Sequence, residues 1–348
     1  MKAAVLTGVQ NIEVKDVPEP AVPDTGLVIE VATCALCGTD VKMYRYGYAA
    51  VELPLIPGHE LAGTIVQSGA ARSGYETGDR VTVNPNIPCG TCFYCTRGLQ
   101  TACDNLSIIG VHRDGGFAQY VSVPSQAVEQ GCVFHISPNV SFEEAALIDP
   151  ASCAVNAAEL SQTKPGDTVV VIGAGPAGCL NVEVSRAFGA SRTILVQRSP
   201  GRLKQARFTG ADVFVNSSME DPVERVMKET KGRGADVVIV ACASTEAQEQ
   251  ALRMVAKRGN VNLFGGLPKG SPSIQFDSNL IHYRESYVTG THGGSNRHCR
   301  IALDMISSGR IKAKKYVSYE GSLSKFHEAL RMAEEKRGLK IFVRPDSL

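Results

Sequence analysis

Four cysteines, Cys89, Cys92, Cys95 and Cys103, are spaced so that four thiolates can converge on one ion without help from distant sequence. Zinc takes four thiolates as a tetrahedron, and a site closed in this way is structural because no position is left for substrate. Disulfides would be the competing use of such a cluster, but they suit the oxidising compartments of small secreted domains. An iron–sulfur cluster usually comes with a different companion spacing. Upstream stand Cys37-Gly38-Thr39-Asp40 and Gly58-His59-Glu60. Cys37 and His59 lie far apart in the chain, so only the fold can join them, and a lone buried Cys or His is more often core than ligand. A third candidate gives the pair weight. Asp149 sits in Ala146-Leu147-Ile148-Asp149-Pro150, and a carboxylate amid apolar residues needs a partner. One thiolate, one imidazole and one carboxylate with a remaining open position make a catalytic zinc site. Glu60, next to His59, competes with Asp149 for that ion. Two zinc ions per chain are therefore expected.

A second chemistry is written in Gly173-Ala174-Gly175-Pro176-Ala177-Gly178. In such a loop the first glycine makes the turn, the second admits a pyrophosphate, and the third lets helix and strand pack closely. The following helix start offers unpaired N–H groups and a positive dipole end to the phosphates. A glycine pattern alone is weak, but this one follows the apolar run 168–172, and a second strand ends at Gln197, nineteen residues beyond Gly178. NAD enzymes usually place Asp or Glu at that end to bind the ribose hydroxyls. Here the chain reads Gln197-Arg198-Ser199-Pro200-Gly201-Arg202. Without the acid there is no repulsion of a 2′-phosphate, and Arg198 can grip one through parallel charge-assisted bonds, assisted by Ser199 and Arg202. NADP is the expected cofactor, with NAD as the alternative in which Arg198 covers the adenine face.

Positioning these groups requires two kinds of domain. Segments 26–33, 61–67 and 79–83 are β-rich and bounded by Gly, Pro and Asp. After about residue 150, apolar runs at 168–172, 193–197, 212–215, 236–240 and 260–264 alternate with helical stretches. That alternation predicts a parallel sheet covered on both faces. The pattern breaks at Gly290-Thr291-His292-Gly293-Gly294, and helices are expected near 296–308 and 322–336, with a strand between them. The expected organisation is a β-rich domain over 1–152, a nucleotide domain over 153–289, and a return to the first domain over 290–348.

Composition narrows the class. The 348 residues are ample for two cores, and 36 basic against 35 acidic side chains leave a net charge of +1. No global field recruits nucleic acid or an anionic membrane, and no apolar run has the length of a membrane helix. A zinc-finger nucleic-acid binder is disfavoured because no basic stripe accompanies the four cysteines. Eleven scattered cysteines and a start without an apolar signal core predict a cytoplasmic enzyme.

Taken together, the motifs resemble the zinc-containing medium-chain dehydrogenase/reductases of the alcohol dehydrogenase superfamily, in the branch with sorbitol dehydrogenase, ketose reductase and threonine dehydrogenase. The resemblance covers essentially the whole chain: Cys37-Gly-Thr-Asp, Gly58-His-Glu, Gly78-Asp-Arg-Val, the four-cysteine lobe, Asp114-Gly-Gly-Phe-Ala, Gly173-x-Gly-x-x-Gly and Gly234-Ala-Asp-Val-Val. It implies an α/β protein with a GroES-like catalytic domain, an inserted Rossmann domain of doubly wound parallel sheet, and an active site in the cleft between them. Cys37 and His59 match the family's catalytic zinc ligands, Glu60 the acid that binds zinc or its water, and Thr39 the hydroxyl of its proton relay. Asp149 stands where relatives use Glu, Asp or Cys. Gln197-Arg198-Ser199-Pro200 resembles the Ala-Arg-Ser-Pro of an NADP-preferring ketose reductase. Lys42 replaces the outer His of the relay in many alcohol dehydrogenases, and Met43 replaces an aromatic residue of sorbitol dehydrogenases. Neither the relay's exit nor sorbitol as substrate therefore follows from the resemblance.

The expected reaction is reversible oxidation of a secondary alcohol, whether a polyol, a sugar-derived alcohol or a small diol, to a ketone by a homodimer or homotetramer. Its alternatives are oxidation of an amino alcohol with NAD, a zinc-free quinone reductase, and a non-catalytic cofactor-binding storage or structural protein.

Overall fold

Strand Thr168–Ile172 reads TVVVI and every one of its residues is buried, as a central parallel strand covered on both faces demands. Around it lies a six-stranded sheet in the order Val213–Asn216, Arg192–Gln197, Thr168–Ile172, Ala235–Val240, Val255–Leu263, Tyr287–Gly290. All five pairings are parallel. The order reverses at Thr168–Ile172, so the loop leaving that strand opens at the switch point where doubly wound sheets bind ligands. The helices between strands start at sequence-encoded caps. Asp221, for example, accepts from the N–H groups of Val223 (2.7 Å) and Glu224 (3.2 Å), with Pro222 in the first helical position.

The computed structural model describes residues 1–69, 74–268, 270 and 272–345. The chain forms two compact units. One comprises Met1–Ser152, Gly293–Gly309 and Ala313–Leu348, the other Cys153–His292 and Arg310–Lys312. The six-stranded sheet belongs to the second. The first is built on a seven-stranded sheet whose path runs Val317–Ser322, Lys340–Arg344, Leu27–Ala35, Glu60–Ser68, Arg80–Val83, Val133–His135, with Tyr120–Val123 also paired to Leu27–Ala35. Leu27, Ile29, Leu61, Ile65 and Val81 fill its core with Phe117 and Phe326, whose rings meet edge to face at 4.9 Å.

Three local differences from the sequence expectations have physical causes. Helix Gly38–Tyr46 interrupts the β-rich half, because the Asp40 carboxylate accepts the Cys37 N–H at 2.8 Å and caps it. Strand Val255–Leu263 starts earlier than 260, directly after helix Thr245–Met254, since Val255 and Ala256 are buried against neighbouring apolar residues. The last helix is Phe326–Glu334, preceded by a 3₁₀ turn over Leu323–Lys325. Among the described residues, no helix is long and apolar enough to cross a membrane.

Candidate metal centres and nucleotide loop

The four-cysteine segment folds into short turns that bring Cys89, Cys92, Cys95 and Cys103 together, all four sulfurs within 4.8 Å of one another. The Cys89–Cys95 and Cys92–Cys103 sulfurs are 4.0 and 3.9 Å apart. Both separations are too long for a disulfide, whereas a tetrahedron with zinc–sulfur bonds of about 2.3 Å has edges of about 3.8 Å. Backbone N–H groups turn inward as well, from Cys89 to the Cys103 sulfur at 3.2 Å and from Cys92 to the Cys89 sulfur at 3.3 Å. The N–H groups of Thr91 and Cys92 pull the Cys89 thiol down to about 6, while burial pushes Cys95 up to about 12. Thiols this close cannot all ionise unless a cation lies between them. The donor set fits zinc.

Cys37 precedes helix Gly38–Tyr46, and the Thr39 hydroxyl lies 3.8 Å from its sulfur. His59 and Glu60 arrive on the neighbouring strand Glu60–Ser68 and the residue before it. Gly58 makes that approach possible. It has φ of 101°, and a Cβ there would stand 2.8 Å from the Cys34 sulfur and 2.9 Å from the Phe117 ring. Ligand atoms of Cys37, His59 and Glu60 all lie within 4.8 Å of one another. Both His59 and the Asp40 behind it are buried, with Nδ1 and Oδ1 3.6 Å apart and neither atom otherwise bonded. A carboxylate in that place fixes the tautomer of a metal-binding imidazole. Burial opposes charge on His59, yet Asp40 and Cys37 outweigh it and hold the ring well above the usual histidine value. A site that draws a proton so strongly also suits a divalent cation.

Asp149 is not a member of that close group. It lies in the first turn of helix Ile148–Leu160, buried, where its Oδ1 accepts from Asn86 Nδ2 at 3.2 Å. Its charge nevertheless bears on Glu60 and on Lys340. Two functional neighbours escape sequence reasoning. One is Asp40, present in the quoted motif without a role. The other is Lys340, whose ammonium donates to both Glu60 carboxylate oxygens, each side chain 5 % exposed or less. Burial pushes the Glu60 carboxyl up, against the pull of Lys340 and His59. Burial lowers Lys340, but Glu60 outweighs it and the net shift is upward. No local signal marks Lys340. It meets Glu60 because Phe342 pairs with Ala35, and Ala35 with Glu60, across three strands.

The second unit carries the glycine loop. Gly173 has φ of 113°, and a Cβ on Gly178 would fall 1.7 Å from the Gly173 carbonyl oxygen. A Cβ on Gly175 would meet nothing within 4 Å, which leaves open space at the helix start. Helix Pro176–Ala187 begins there with Pro176 in its first turn, Ala177 following it and no side-chain cap, so its first N–H groups are available to phosphate. Gln197 ends strand Arg192–Gln197, Arg198 is exposed, and Arg202 is half-buried. Ser199 caps the next helix, its hydroxyl accepting the Arg202 N–H at 3.4 Å. These residues fit a dinucleotide.

Comparison with known proteins adds relatives to this geometry. Residues 23–131 match the alcohol dehydrogenase GroES-like domain and residues 176–308 the zinc-binding dehydrogenase domain. The chain is 32 % identical to the sorbitol dehydrogenase of Bacillus subtilis (strain 168), covering 99 % of this chain and 98 % of that one. It is 35 % identical to the L-threonine 3-dehydrogenase of Pyrococcus furiosus, covering 99 % and 97 %. A candidate zinc-binding dehydrogenase from Sinorhizobium meliloti 1021, solved with NADP bound, superposes with a TM-score of 0.92 at 32 % identity, covering 99 % of each chain.

Proposed function

Because the chain belongs to the zinc-type medium-chain dehydrogenase/reductase family, we propose that it transfers hydride reversibly between a secondary alcohol and NADP. The observation that carries this reading is the grouping of Cys37, His59 and Glu60 within 4.8 Å, with Asp40 behind the imidazole. Zinc held by Cys37 and His59, with Glu60 and Asp149 sharing the third ligand position, would polarise an alcohol oxygen as a Lewis acid, and the nicotinamide would accept hydride. The chain's own residues do the rest. Thr39 takes the substrate's hydroxyl proton and passes it outward. Asp40 holds His59 in one tautomer. Lys340 balances the Glu60 charge. Cys89, Cys92, Cys95 and Cys103 hold a second, structural zinc.

Lack of an acid at Gln197 and the exposed guanidinium of Arg198 support NADP, as does the relative solved with that cofactor. The sorbitol dehydrogenase relative supports a polyol as substrate class. A second reading, oxidation of an L-threonine-like amino alcohol with NAD, draws on the 35 % identity to a threonine dehydrogenase. The test is kcat/KM for polyols, sugar-derived alcohols, diols and amino alcohols, with NADP and NAD, on zinc-replete protein. A polyol or diol turned over best with NADP supports the proposal, and no turnover of any alcohol or ketone refutes it.

A further inference from the structure

We infer that Asn86 is a positioning residue for Asp149, and that the four-cysteine lobe anchors the buried chain of carboxamides behind it by holding the backbone of Asn296. The inference rests on the reading of Asp149 as a ligand of the catalytic ion. Asn86 spends both amide hydrogens on fixed acceptors, Asp149 Oδ1 and Asn84 Oδ1, each at 3.2 Å. Asn84 Oδ1 also accepts the Asn86 backbone N–H at 3.1 Å. The amide hydrogens of Asn84 go to Asn296 Oδ1 at 2.7 Å and to the Gly294 carbonyl at 3.3 Å. Asn296 donates in turn to the Gln130 carbonyl at 2.6 Å. Its backbone N–H, in the first turn of helix Asn296–Ser307, reaches Gln100 Oε1 at 3.1 Å. Gln100 sits inside the lobe, and its carbonyl accepts the Cys103 N–H at 3.2 Å.

Direction is what makes this a chain rather than a set of contacts. A carboxamide offers two donors on one side and one acceptor on the other. Turning Asn84 over would point its NH₂ at the Asn86 donors and its oxygen at the Asn296 oxygen. Asn84 is 1 % exposed, Asn296 8 % and Asn86 9 %, so water does not readily replace a lost partner. From Asn296 through Asn84 to Asn86 each side chain therefore dictates the next, the last places an N–H on the Asp149 carboxylate, and Gln100 anchors the backbone from which Asn296 projects. Groups that hydrogen-bond to metal-binding carboxylates change metal affinity by about 10–100-fold. The arrangement makes the ligand geometry at one metal centre depend on whether the other is folded.

The experiment uses the zinc-loaded full chain and follows release of both ions to excess EDTA with a chromogenic zinc indicator. Cys37→Ser identifies the phase that belongs to the catalytic ion. Asn86→Leu keeps the side chain's volume and removes its hydrogen bonds, and should speed that phase by about 10–100-fold while leaving the other phase unchanged. Gln100→Ala, at a half-buried position in the lobe, should speed the same phase several-fold and serves if Asn86→Leu does not fold. The double variant should release the catalytic ion no faster than Asn86→Leu alone, since both changes break one chain. Catalytic-ion release at the wild-type rate in Asn86→Leu and Gln100→Ala overturns the inference, as do rates that multiply in the double variant. A wild-type release profile in which Cys37→Ser removes no phase overturns the reading of the metal site, and the inference with it.

Discussion

Replacing Lys340 with Met isolates the Glu60 carboxylate in the interior of the catalytic unit. Both partners are almost fully buried, and Met fills the space of the Lys stem without its charge. Removing one member of a buried ion pair typically costs about 3–5 kcal/mol, because the survivor is left uncompensated. Glu60 has an escape that caps this cost: it can take a proton. Protonating a carboxyl of ordinary pKa of about 4.3 at pH 7 costs about 4 kcal/mol, so the penalty at neutral pH should be about 3–4 kcal/mol. The sign with pH follows. In Lys340→Met the folded-state pKa of Glu60 stands above its unfolded value, so the folded state binds the extra proton between the two. Stability then falls by about 1.4 kcal/mol per pH unit as pH rises through that window, and the penalty shrinks towards pH 5. For a unit of this size each kcal/mol is worth about 2–4 °C, so melting should drop by about 6–16 °C at pH 7. Thermal unfolding of wild type, Lys340→Met and Lys340→Met/Glu60→Gln, each stripped of the catalytic zinc but retaining the structural one, from pH 5 to 8 reads all three quantities. The double variant should regain most of the loss. Wild-type melting by Lys340→Met at every pH, or a double variant no better than the single, would refute the reasoning.

The metal assignments separate by substitution. Cys37→Ser should lose one zinc and turnover while melting near wild type, whereas Cys92→Ser should lose the other zinc together with stability, because metal binding and folding of the lobe are coupled; zinc content and melting decide both. Gln197→Asp with Arg198→Leu should reverse cofactor preference. A charge-assisted bond to phosphate contributes about 1.5–3 kcal/mol, or about 10–100-fold in kcat/KM, and equal efficiencies of wild type with NADP and NAD would show that Arg198 serves another end. In the nucleotide unit, the Thr193 N–H and hydroxyl and Arg186 outweigh burial and hold the Asp212 carboxyl below its ordinary value. Asp212→Asn should therefore be less stable than wild type at pH 7, with the gap closing as pH falls through that lowered pKa; a gap that persists at acid pH would count against it.

What could be read from sequence was local. Thr168–Ile172 shows itself because four apolar residues in a row after Thr168 end in a glycine turn, and both the run and the turn are contiguous. The four cysteines announce a cluster because their spacing alone brings the sulfurs together. Cys37 and His59 could be nominated by type, but their meeting depends on pairing of Leu27–Ala35 with Glu60–Ser68, which no short window encodes. Lys340 was invisible for the same reason, being an ordinary lysine in an apolar strand until the sheet sets it against Glu60. Asn84, Asn86 and Asn296 look like turn residues in the sequence, and only burial turns them into a network. The helix after Cys37 does not show in the sequence, because a mixed polar run hides a cap made by Asp40.

Strand Lys340–Arg344 completes the sheet of the first unit, and it lies 280 residues downstream of Glu60 along the chain. During biosynthesis the nucleotide unit is almost entirely contiguous and can fold as it emerges, whereas the catalytic unit must wait. At about 5–20 residues per second, Glu60 leaves the ribosome on the order of 14–56 seconds before its counter-ion exists. Through that interval Cys34 and Ala35, at the end of strand Leu27–Ala35, lack their partners Val343 and Phe342, and Glu60 has no ammonium beside it. A nascent chain arrested before Lys340 should remain protease-sensitive over residues 1–152 while residues 153–292 are already resistant.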